Sequence, residues 1–550
     1  MKTHYCYFLV GCILLCWVSP SQAQQLDNTT NQVVLADEYD LPWPAWMFGH
    51  WVWEDESTQE SAIALVDDYL AHDIPVSAII IDSPWETGYN TFDWDTSLFP
   101  DPQAMIDYFH SKDVRVFMWM TGVINTNVQP LYDSAAANGY FMESSLPWQQ
   151  GEPGIINWWK GEGSLIDWWN PEAVAWWKGL MDKTLDLGID GWKVDGTDYN
   201  ALLDLVLYSP GNGGTVSRNE YSEAYYRLFH DYTRERLGND RVITARPIDN
   251  YGLGDLGGDV ALFAPRDINF CGWVGDQDAT FEGLVWAMNS MFHSDEAGFL
   301  AFGSDIGGYR EDDTYPLARS KELFIRWAQF GTFSGVMENG GGGEHRPWIF
   351  DQETEDIYRQ LVQTRYQLLP YLMENSETYY NESRSLMDFF NKADYSFMFG
   401  PDLFVAPFLV EGTSIDITFP QGENWVYMYN NSLVYEGGTQ ATLTIPYSEY
   451  PVFIRQGTYP LGIDSEIVSK GNTFQVYPNP SEGIFTIHLD SSSVFTRIEV
   501  INAVGQVVAQ ENNVIANKTM LNLVHLPKGL YIVRVFDGTT LMASSRISLL

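Results

Sequence analysis

The sequence predicts an α/β fold, a (β/α)8 barrel followed by two small all-β sandwich domains. Strand-like and helix-like runs alternate through residues 43–380, which is the pattern of a parallel sheet or barrel. Short alternating strands follow over 381–463, and a second group of strands occupies 473–550. A doubly wound open sheet would need fewer strands and a glycine-rich turn after the first one. The segment His50-Trp-Val-Trp-Glu54 has no such turn.

Apolar runs predict the eight barrel strands, and apolar residues at three- and four-residue spacing predict the helices. The predicted strands cover 47–53, 76–82, 114–120, 191–195, 241–246, 270–274, 298–303 and 335–338. The predicted helices cover 57–71, 102–112, 171–186, 220–237, 280–293, 320–333 and 353–374. Eight strand–helix units over this length fit one barrel with long loops.

The start of the chain is typical of a secretory signal. Lys2 supplies a positive charge, an apolar run over 5–18 follows, and Ser21-Gln-Ala23 resembles a cleavage site. That run is too short to span a bilayer, and no later segment predicts a transmembrane helix. The predicted segments are a signal peptide (1–23), a leader (24–42), the barrel (43–380), a proximal β-sandwich (381–463), a linker (464–472) and a terminal β domain (473–550).

Composition excludes several classes of partner. The formal net charge of −43 predicts no nucleic-acid partner, because phosphates would be repelled. Three of the four cysteines leave with the predicted signal, so Cys271 remains alone and is expected in the core. Neither metal nor cofactor is predicted, since no Cys/His cluster has ligand spacing. The 21 Trp and 31 Tyr suit stacking against sugar rings, although roughly half of them are expected in the core.

Aspartates follow the predicted strands at four places: Asp82, Asp195, Asp276 and Asp305. The C-terminal strand ends of a (β/α)8 barrel meet at one mouth and carry its chemistry. A single Asp at such a place is equally well explained as a helix cap or a turn residue. Its recurrence at four strand ends predicts a carboxylate-lined pocket.

Two such carboxyl groups are what cleavage of a glycosidic bond requires, one ionised and one protonated. Asp195 and Asp276 fit, because they lie at strand ends two strands apart. The aromatic and apolar residues before Asp276 would favour its protonated form, and Asp278 is the alternative acid. Arg246 would add a charged donor for sugar hydroxyls, although a structural ion pair would explain it too.

Seven segments, in order along the chain, resemble motifs of glycoside hydrolase family 31, retaining α-glycosidases built on a (β/α)8 barrel. They are Ile74-Pro-Val with Ile81-Asp82, Asp167-Trp-Trp-Asn-Pro171, Leu187-Gly-Ile-Asp-Gly-Trp-Lys-Val-Asp195, Trp273-Val-Gly-Asp276, Gly303-Ser-Asp-Ile-Gly-Gly308, Arg326-Trp-x-Gln-Phe-Gly-x-Phe-Ser334 and Phe399-Gly-Pro-Asp-Leu-Phe-Val-Ala-Pro407. The resemblance covers roughly 43–461. It implies that Asp195 is the nucleophile and Asp276 the acid/base. The expected substrate-binding residues are Asp82, Trp119, Lys193, Asp198, Arg246, Trp273, Asp305 and His345.

Three departures from the family pattern bear on the bound sugar. The family's N-terminal β-sandwich has no room before the barrel. Gly196-Thr-Asp198 replaces the "M-N-E" of α-glucosidases, and Glu338-Asn-Gly340 stands where "R-x-H" is common. Either His345 compensates for the missing histidine, or the sugar differs from glucose.

The last 80 or so residues resemble the C-terminal sorting domain of type IX secretion. The matching pieces are Val476-Tyr-Pro-Asn-Pro480, Ile501-Asn-Ala-Val-Gly-Gln506 and Leu526-Pro-Lys-Gly-Leu-Tyr531. This resemblance implies the type IX secretion machinery as a partner and a secreted or cell-surface location. A carbohydrate-binding sandwich is the alternative, which the absence of Trp in the unit disfavours.

The resemblance implies a secreted retaining α-glycosidase that acts on an oligosaccharide or glycan. An α-transglycosylase would use the same residues and pass the sugar to another acceptor. A barrel that binds glycans without turnover would also explain the departures, whereas Asp195 and Asp276 favour an enzyme. A metal-dependent barrel hydrolase is disfavoured, because no His pair is predicted at the strand ends.

Overall fold

Eight parallel strands form a barrel in a computed structural model of the protein. The strands are β1 (His50–Glu54), β2 (Ala78–Ile81), β3 (Arg115–Met120), β4 (Gly191–Val194), β5 (Val242–Ala245), β6 (Cys271–Trp273), β7 (Ala301–Gly303) and β8 (Met337–Asn339). The helices are α1 (Gln59–Ala71), α2 (Pro102–Ser111), α3 (Leu131–Ala137), α4 (Pro171–Leu185), α5 (Arg218–Leu237), α6 (Phe281–Glu296), α7 (Lys321–Thr332) and α8 (Gln352–Asn381). The structure describes residues 25–26, 33–34, 41–146, 151–196, 207–246, 265–311, 319–458, 460, 473–477, 481, 483–490, 495–502, 507–516, 518–526, 529–537 and 540–549. The predicted signal peptide and linker, and all of the leader except 25–26, 33–34 and 41–42, lie outside this set.

The strands follow one another around the barrel in the order β7-β6-β5-β4-β3-β2-β1-β8. A parallel bridge between Asp305, just after β7, and Glu338 in β8 joins the two ends of the sheet. The Ile306 amide also donates to the Glu338 carbonyl at 3.1 Å. The predicted fold class is therefore confirmed.

Local sequence explains where the helices begin and end. Ser217 and Glu220 form a capping box, so α5 begins at Arg218, two residues before the predicted start. Asn170 caps α4 and Pro171 occupies its first turn. Helix α8 continues through Pro370 to Asn381, seven residues past the predicted end. Fifteen of its side chains are buried, and that packing outweighs the lost hydrogen bond.

A small β subdomain is inserted directly after β3, where the sequence predicted no element. The strands Val123–Asn125, Gly161–Leu165 and Ile155–Trp158 form an antiparallel sheet in that order. A second three-stranded sheet joins Glu143–Ser144, Leu207–Ser209 and Gly214–Thr215. The buried Asp167 carboxylate ties the two regions together, because it accepts bonds from Ser209 Oγ at 2.7 Å and the Gly211 amide at 2.9 Å.

The β unit after the barrel packs on α7 and shares one continuous apolar core with the barrel. Its six-stranded sheet runs in the order Met387–Asn391, Ser396–Phe399, Leu403–Val405, Val452–Arg455, Asn424–Tyr427 and Val434–Glu436, and Ser414–Thr418 pairs with Gln440–Thr444. The buried Arg326 donates to the carbonyls of Glu449, Gly412 and Ile445 at 3.1–3.3 Å. Gln329 Nε2 donates to Tyr447 and Glu449 at 2.6 and 2.9 Å. The Arg326-x-x-Gln329 motif therefore fastens this sheet to the barrel.

The terminal unit has a core of its own, built around Phe485, Ile498 and Val533. Its three-stranded sheet has the order Thr473–Tyr477, Ile484–Asp490, Lys518–Asn522. Its four-stranded sheet has the order Val507–Ala516, Phe495–Asn502, Gly529–Asp537, Thr540–Leu549. A separate core means that this unit need not share the barrel's stability. Among the described helices, none is long and apolar enough to cross a membrane.

We expect Arg326→Met to destabilise the barrel and its attached sheet together. The substitution keeps the apolar stem but removes the guanidinium donor from the Gly412 and Ile445 carbonyls, whereas Glu449 keeps its bond from Gln329. We expect a cost of roughly 2–5 kcal/mol in the free energy of unfolding. Urea denaturation followed by tryptophan fluorescence measures the change. The matched control is Arg227→Met, which removes an ion pair with 36% and 58% exposed side chains and should cost less than about 1 kcal/mol. Equal losses in both variants would contradict the assigned role.

Candidate active site

Asp195 is the first residue after β4, and its amide donates to the Met120 carbonyl at 2.8 Å. Its side chain is 13% exposed. Oδ1 accepts from the Gly196 amide at 2.7 Å and from Arg246 Nη2 at 3.0 Å, and Oδ2 accepts from Trp119 Nε1 at 3.2 Å. These bonds hold both oxygens in fixed positions at the barrel mouth.

Arg246 links Asp195 to Asp276. It follows β5, which lies between β4 and β6 and pairs with both. Its Nη1 donates to Asp276 Oδ1 at 3.1 Å, while Nη2 holds Asp195. Because the guanidinium is a rigid planar fork, the two carboxylates are each held one hydrogen bond from a shared cation. Asp276 is 35% exposed, so solvent reaches the second carboxylate more readily than the first.

The buried Lys193 lies two residues before Asp195 and therefore faces the same side of the strand. Its Nζ donates to Asp82 Oδ2 at 2.9 Å and lies 3.5 Å from the ring centroid of Trp53 and 5.1 Å from that of Trp273. Burial raises the pKa of Asp82 to about 6, although Lys193 opposes the rise. Burial alone would lower the pKa of Lys193, but the nearby carboxylates raise it above its usual range.

Two further acids, Asp305 and Glu338, complete the floor of the mouth, and each is 1% exposed. Burial and the neighbouring Glu338 raise the pKa of Asp305 well above its usual range, with Lys193 opposing. Burial likewise raises the pKa of Glu338 to about 7 against the attraction of Lys193. Within the described part of the chain, Asp305 Oδ1 and both Glu338 oxygens accept no well-formed hydrogen bond. A buried acceptor without a donor is costly, so these atoms suit a ligand that brings hydroxyl groups.

Trp53 explains the glycine at position 340. A Cβ on Gly340 would lie 2.2 Å from Trp53 Cδ1, so a larger residue requires the indole to move. The indole in turn stacks over Lys193 and lies 6.1 Å from Tyr309, nearly parallel to it. The aromatic side chain thus fills the space that a residue at 340 would otherwise take.

The structure brings six of the predicted binding residues together around Asp195 and Asp276: Asp82, Trp119, Lys193, Arg246, Trp273 and Asp305. His345 is engaged elsewhere, since its Nδ1 contacts the Ile306 carbonyl at 3.0 Å and its Nε2 contacts the Gly342 carbonyl and Arg319. Burial and Arg319 lower the pKa of His345 well below its usual range. Asp198 lies outside the described residues. Asp278, the alternative acid, is paired with Arg310 at 3.2 Å and is 42% exposed.

Three residues of the mouth were missing from the predicted site: Trp53, Asp55 and Glu338. Asp55 follows β1 and accepts from Tyr309 Oη at 2.8 Å, so the strand-end rule that found Asp82 applies to it as well. Glu338 appeared in the sequence only as a departure from a motif. Trp53 carried no signal beyond its place in an apolar strand. In the described part of the chain, no three His, Cys, Asp or Glu side chains are grouped to hold a metal ion.

Comparison with protein families assigns the three parts of the chain. Residues 41–375 match the glycosyl hydrolases family 31 TIM-barrel domain, and residues 371–459 match the glycosyl hydrolase family 31 C-terminal domain. Residues 475–548 match a secretion system C-terminal sorting domain, which indicates secretion or a cell-surface location.

Curated relatives and solved structures agree with this assignment. The chain is 24% identical over 447 residues to an α-xylosidase of Emericella nidulans, covering 76% of this chain and 53% of the relative, and 24% identical over 500 residues to an isomaltosyltransferase of Sporosarcina globispora, covering 81% and 44%. The chain therefore spans about half the length of such relatives.

Among solved structures, a family 31 α-xylosidase from a soil metagenome complexed with xylose aligns at TM-score 0.65 and 21% identity, covering 76% and 64% of the two chains. A Flavobacterium johnsoniae family 31 dextranase complexed with glucose aligns at TM-score 0.64 and 20% identity, covering 90% and 61%. Since the barrel model alone matches more than half of the 550 residues, the chain belongs to glycosyl hydrolase family 31.

Proposed function

We propose that the protein is a secreted retaining α-glycosidase in which Asp195 is the nucleophile and Asp276 the acid/base. The observation that carries the proposal is the Arg246 fork, which donates to both carboxylates at 3.0 and 3.1 Å. A retaining mechanism needs two carboxyl groups about 5–5.5 Å apart across one anomeric carbon. Two carboxylates that accept from one planar guanidinium lie near each other, which supports the proposal.

The reaction proceeds in two displacements. Asp195 Oδ attacks the anomeric carbon from the face opposite the leaving oxygen, and the bond to that oxygen breaks as Asp276 transfers its proton to it. The Asp276 carboxylate then takes a proton from water, whose oxygen attacks the same carbon and releases Asp195. Trp119 and Gly196 orient the nucleophile throughout by their bonds to its two oxygens. Two inversions leave the product with the α configuration of the substrate.

The charge of the mouth favours a neutral sugar rich in hydroxyl groups. Asp82, Asp305, Glu338 and Asp55 lie around the ammonium of Lys193, and Lys160 is a second cation near Asp55. Burial raises the pKa of each of these acids, so a carboxylate or sulfonate on the sugar would add a negative charge where the poorly solvated site already disfavours one. Hydroxyl groups would instead donate to Asp305 Oδ1, which accepts no well-formed bond from the described residues, and to Glu338, beside the Trp53 indole. A panel of aryl α-glucoside, α-galactoside, α-xyloside and α-N-acetylgalactosaminide substrates, with an α-glucuronide as the disfavoured anion, identifies the sugar.

Transfer to another sugar is the second candidate function. The residues required are the same, and one relative is named an isomaltosyltransferase. The two functions differ only in whether water or a sugar hydroxyl attacks the glycosyl-enzyme. Product analysis with and without added acceptor separates them.

Export completes the proposal. The sorting domain at 475–548 supports delivery by the type IX secretion machinery, which would recognise the terminal β unit. We assign residues 1–23 as the signal peptide that precedes this step, on the sequence features alone.

Azide should distinguish the two catalytic carboxylates. Asp195→Ala and Asp276→Ala are each expected to lower turnover of the natural linkage by roughly 10³-fold or more. Azide added to Asp276→Ala replaces water in the second displacement and should give the α-glycosyl azide. Azide added to Asp195→Ala replaces the nucleophile and should give the β-glycosyl azide. The anomeric proton coupling in the NMR spectrum of each product identifies its configuration.

Asp278→Ala is the matched control, because Asp278 lies two residues from Asp276 but pairs with Arg310. It should keep a rate within about 10-fold of the wild type. An α-azide product or a large loss in Asp278→Ala would transfer the acid/base role to that residue. Near-native rates in Asp195→Ala would reject the mechanism.

Glu338→Gln should stabilise the unliganded protein in a pH-dependent way. The folded state raises the pKa of Glu338 from its ordinary 4.5 to about 7 and so favours the protonated form. Its favourable contribution is complete below about pH 4.5 and is lost as the pH rises through about 7. A neutral Gln avoids that loss, so the variant should gain up to ~3 kcal/mol between pH 4.5 and pH 8 relative to the wild type.

Thermal unfolding of both proteins across this pH range measures the gain. Glu374→Gln, an exposed substitution on α8, is the control and should show no such trend. A pH-independent difference between Glu338→Gln and the wild type would show that Glu338 stays ionised in the folded protein.

A further inference from the structure

A row of aromatic rings leads from the proposed nucleophile to the outer edge of the mouth. Trp119, which donates to Asp195, lies 6.1 Å from Tyr89 between ring centroids. Tyr89 lies 5.7 Å from Trp158, and Trp158 lies 5.1 Å from Trp159. Tyr89 belongs to the loop after β2, and both tryptophans belong to the hairpin inserted after β3. Two neighbouring loops therefore build one aromatic wall.

The tip of the hairpin is built to hold an aromatic side chain at the surface. Trp158 pairs with Gly161, so Trp159 and Lys160 form a two-residue turn. Trp159 is 47% exposed, whereas Trp158 is 8% exposed. A large exposed indole on a tight turn adds little to the core, and surface positions of this kind are often binding sites.

Asn125 fixes the tip in place. This residue is 5% exposed and lies in the strand that follows β3. Its Oδ1 accepts from Trp158 Nε1 at 2.6 Å, and its Nδ2 donates to the Lys160 carbonyl at 2.9 Å. A buried amide with both ends engaged gives the turn a single orientation relative to the barrel. The rings are thus preorganised, which lowers the entropic cost of binding.

Lys160 adds a positive charge beside this aromatic wall. Its Nζ lies 5.3 Å from the ring centroid of Tyr89. Burial lowers the pKa of Lys160, but Tyr89 and the strand-end carboxylates Asp55 and Asp82 raise it above its ordinary range. The ammonium therefore contacts the Tyr89 ring and interacts electrostatically with acids of the barrel mouth. It adds a charged hydrogen-bond donor beside flat apolar surfaces, a combination that suits a sugar unit better than an apolar group.

We propose that Tyr89, Trp158, Trp159 and Lys160 bind the part of a glycan on the leaving-group side of the cleaved bond, over more than one sugar unit. This inference rests on the proposed function, because it assumes that the sugar whose anomeric carbon is attacked by Asp195 occupies the floor around Lys193 and Asp305. The wall begins at Trp119 beside the nucleophile and continues outward through three more rings, which is longer than one sugar requires. The same surface would hold an acceptor during transfer.

Trp159→Ala tests the inference through a comparison of leaving groups. Each probe pair joins a glycosyl fluoride to an oligosaccharide of the same sugar. One pair is α-glucosyl fluoride and isomaltotriose, and the other is α-xylosyl fluoride and a xyloglucan heptasaccharide. The experiment uses the pair that the wild type cleaves. A fluoride has no sugar on the leaving side. We expect kcat/KM for the oligosaccharide to fall roughly 10-fold to 100-fold, and the fall for the fluoride to be at least about 10-fold smaller. Ile155→Ala, an exposed substitution in the same hairpin, is the control and should alter neither value appreciably.

Equal losses on fluoride and oligosaccharide would overturn the inference, since they would mean that Trp159 only supports the fold of the mouth. Unchanged kinetics on both probes would overturn it as well. A binding measurement tests the inference independently of catalysis. By isothermal titration, Asp195→Ala should bind the oligosaccharide more tightly than Asp195→Ala/Trp159→Ala, by roughly 10-fold or more. A wild type that cleaves no probe but retains this difference in affinity would overturn the proposed function alone, and equal affinities would overturn the inference.

Discussion

One guanidinium sets the geometry on which the site depends. Arg246 stands at the end of the middle one of three adjacent strands, and its two Nη atoms reach Asp195 on one side and Asp276 on the other. Parallel strands bring residues that are 81 positions apart in the chain to within one side chain of each other. The cation also offsets the repulsion between two carboxylates that would otherwise disfavour each other at short range. Arg246 therefore positions the two acids relative to each other.

Beneath this pair, the mouth carries buried charge that stability alone would not favour. Burying carboxylates is costly, and Asp82, Asp305 and Glu338 have a single buried ammonium, Lys193, among them. Burial raises the pKa values of the three acids, as expected when the ionised form is poorly solvated. Such strain is typical of binding sites, where a ligand supplies the missing donors. The Trp53 indole occupies the space above Gly340 and covers the Lys193 ammonium.

The scaffold divides its polar groups between holding elements together and facing the mouth. Arg326 and Gln329 donate to carbonyls of the β unit after the barrel, whereas His345 and Arg319 bond to carbonyls of the loops after β7 and β8. Sequence motifs do not distinguish these uses, since an Arg or a His in a motif looks the same in either. His345 was predicted to bind the sugar in place of the histidine missing from the family's "R-x-H" segment, yet its two ring nitrogens already contact the Ile306 and Gly342 carbonyls. The inserted hairpin went unpredicted because its strands are short, at four and five residues.

The sequence by itself determined the eight-strand barrel, the β units that follow it and the strand-end acids. Apolar periodicity is local, and parallel strands end at one mouth whatever the loops do. Only the tertiary structure decided which groups meet there. Arg246 holds Asp195 and Asp276, Glu338 joins Asp305, and Trp53 replaces a side chain at 340. Such contacts depend on side-chain direction across the barrel, on neighbouring volume and on burial, and none of these is encoded in the spacing of residues along the chain.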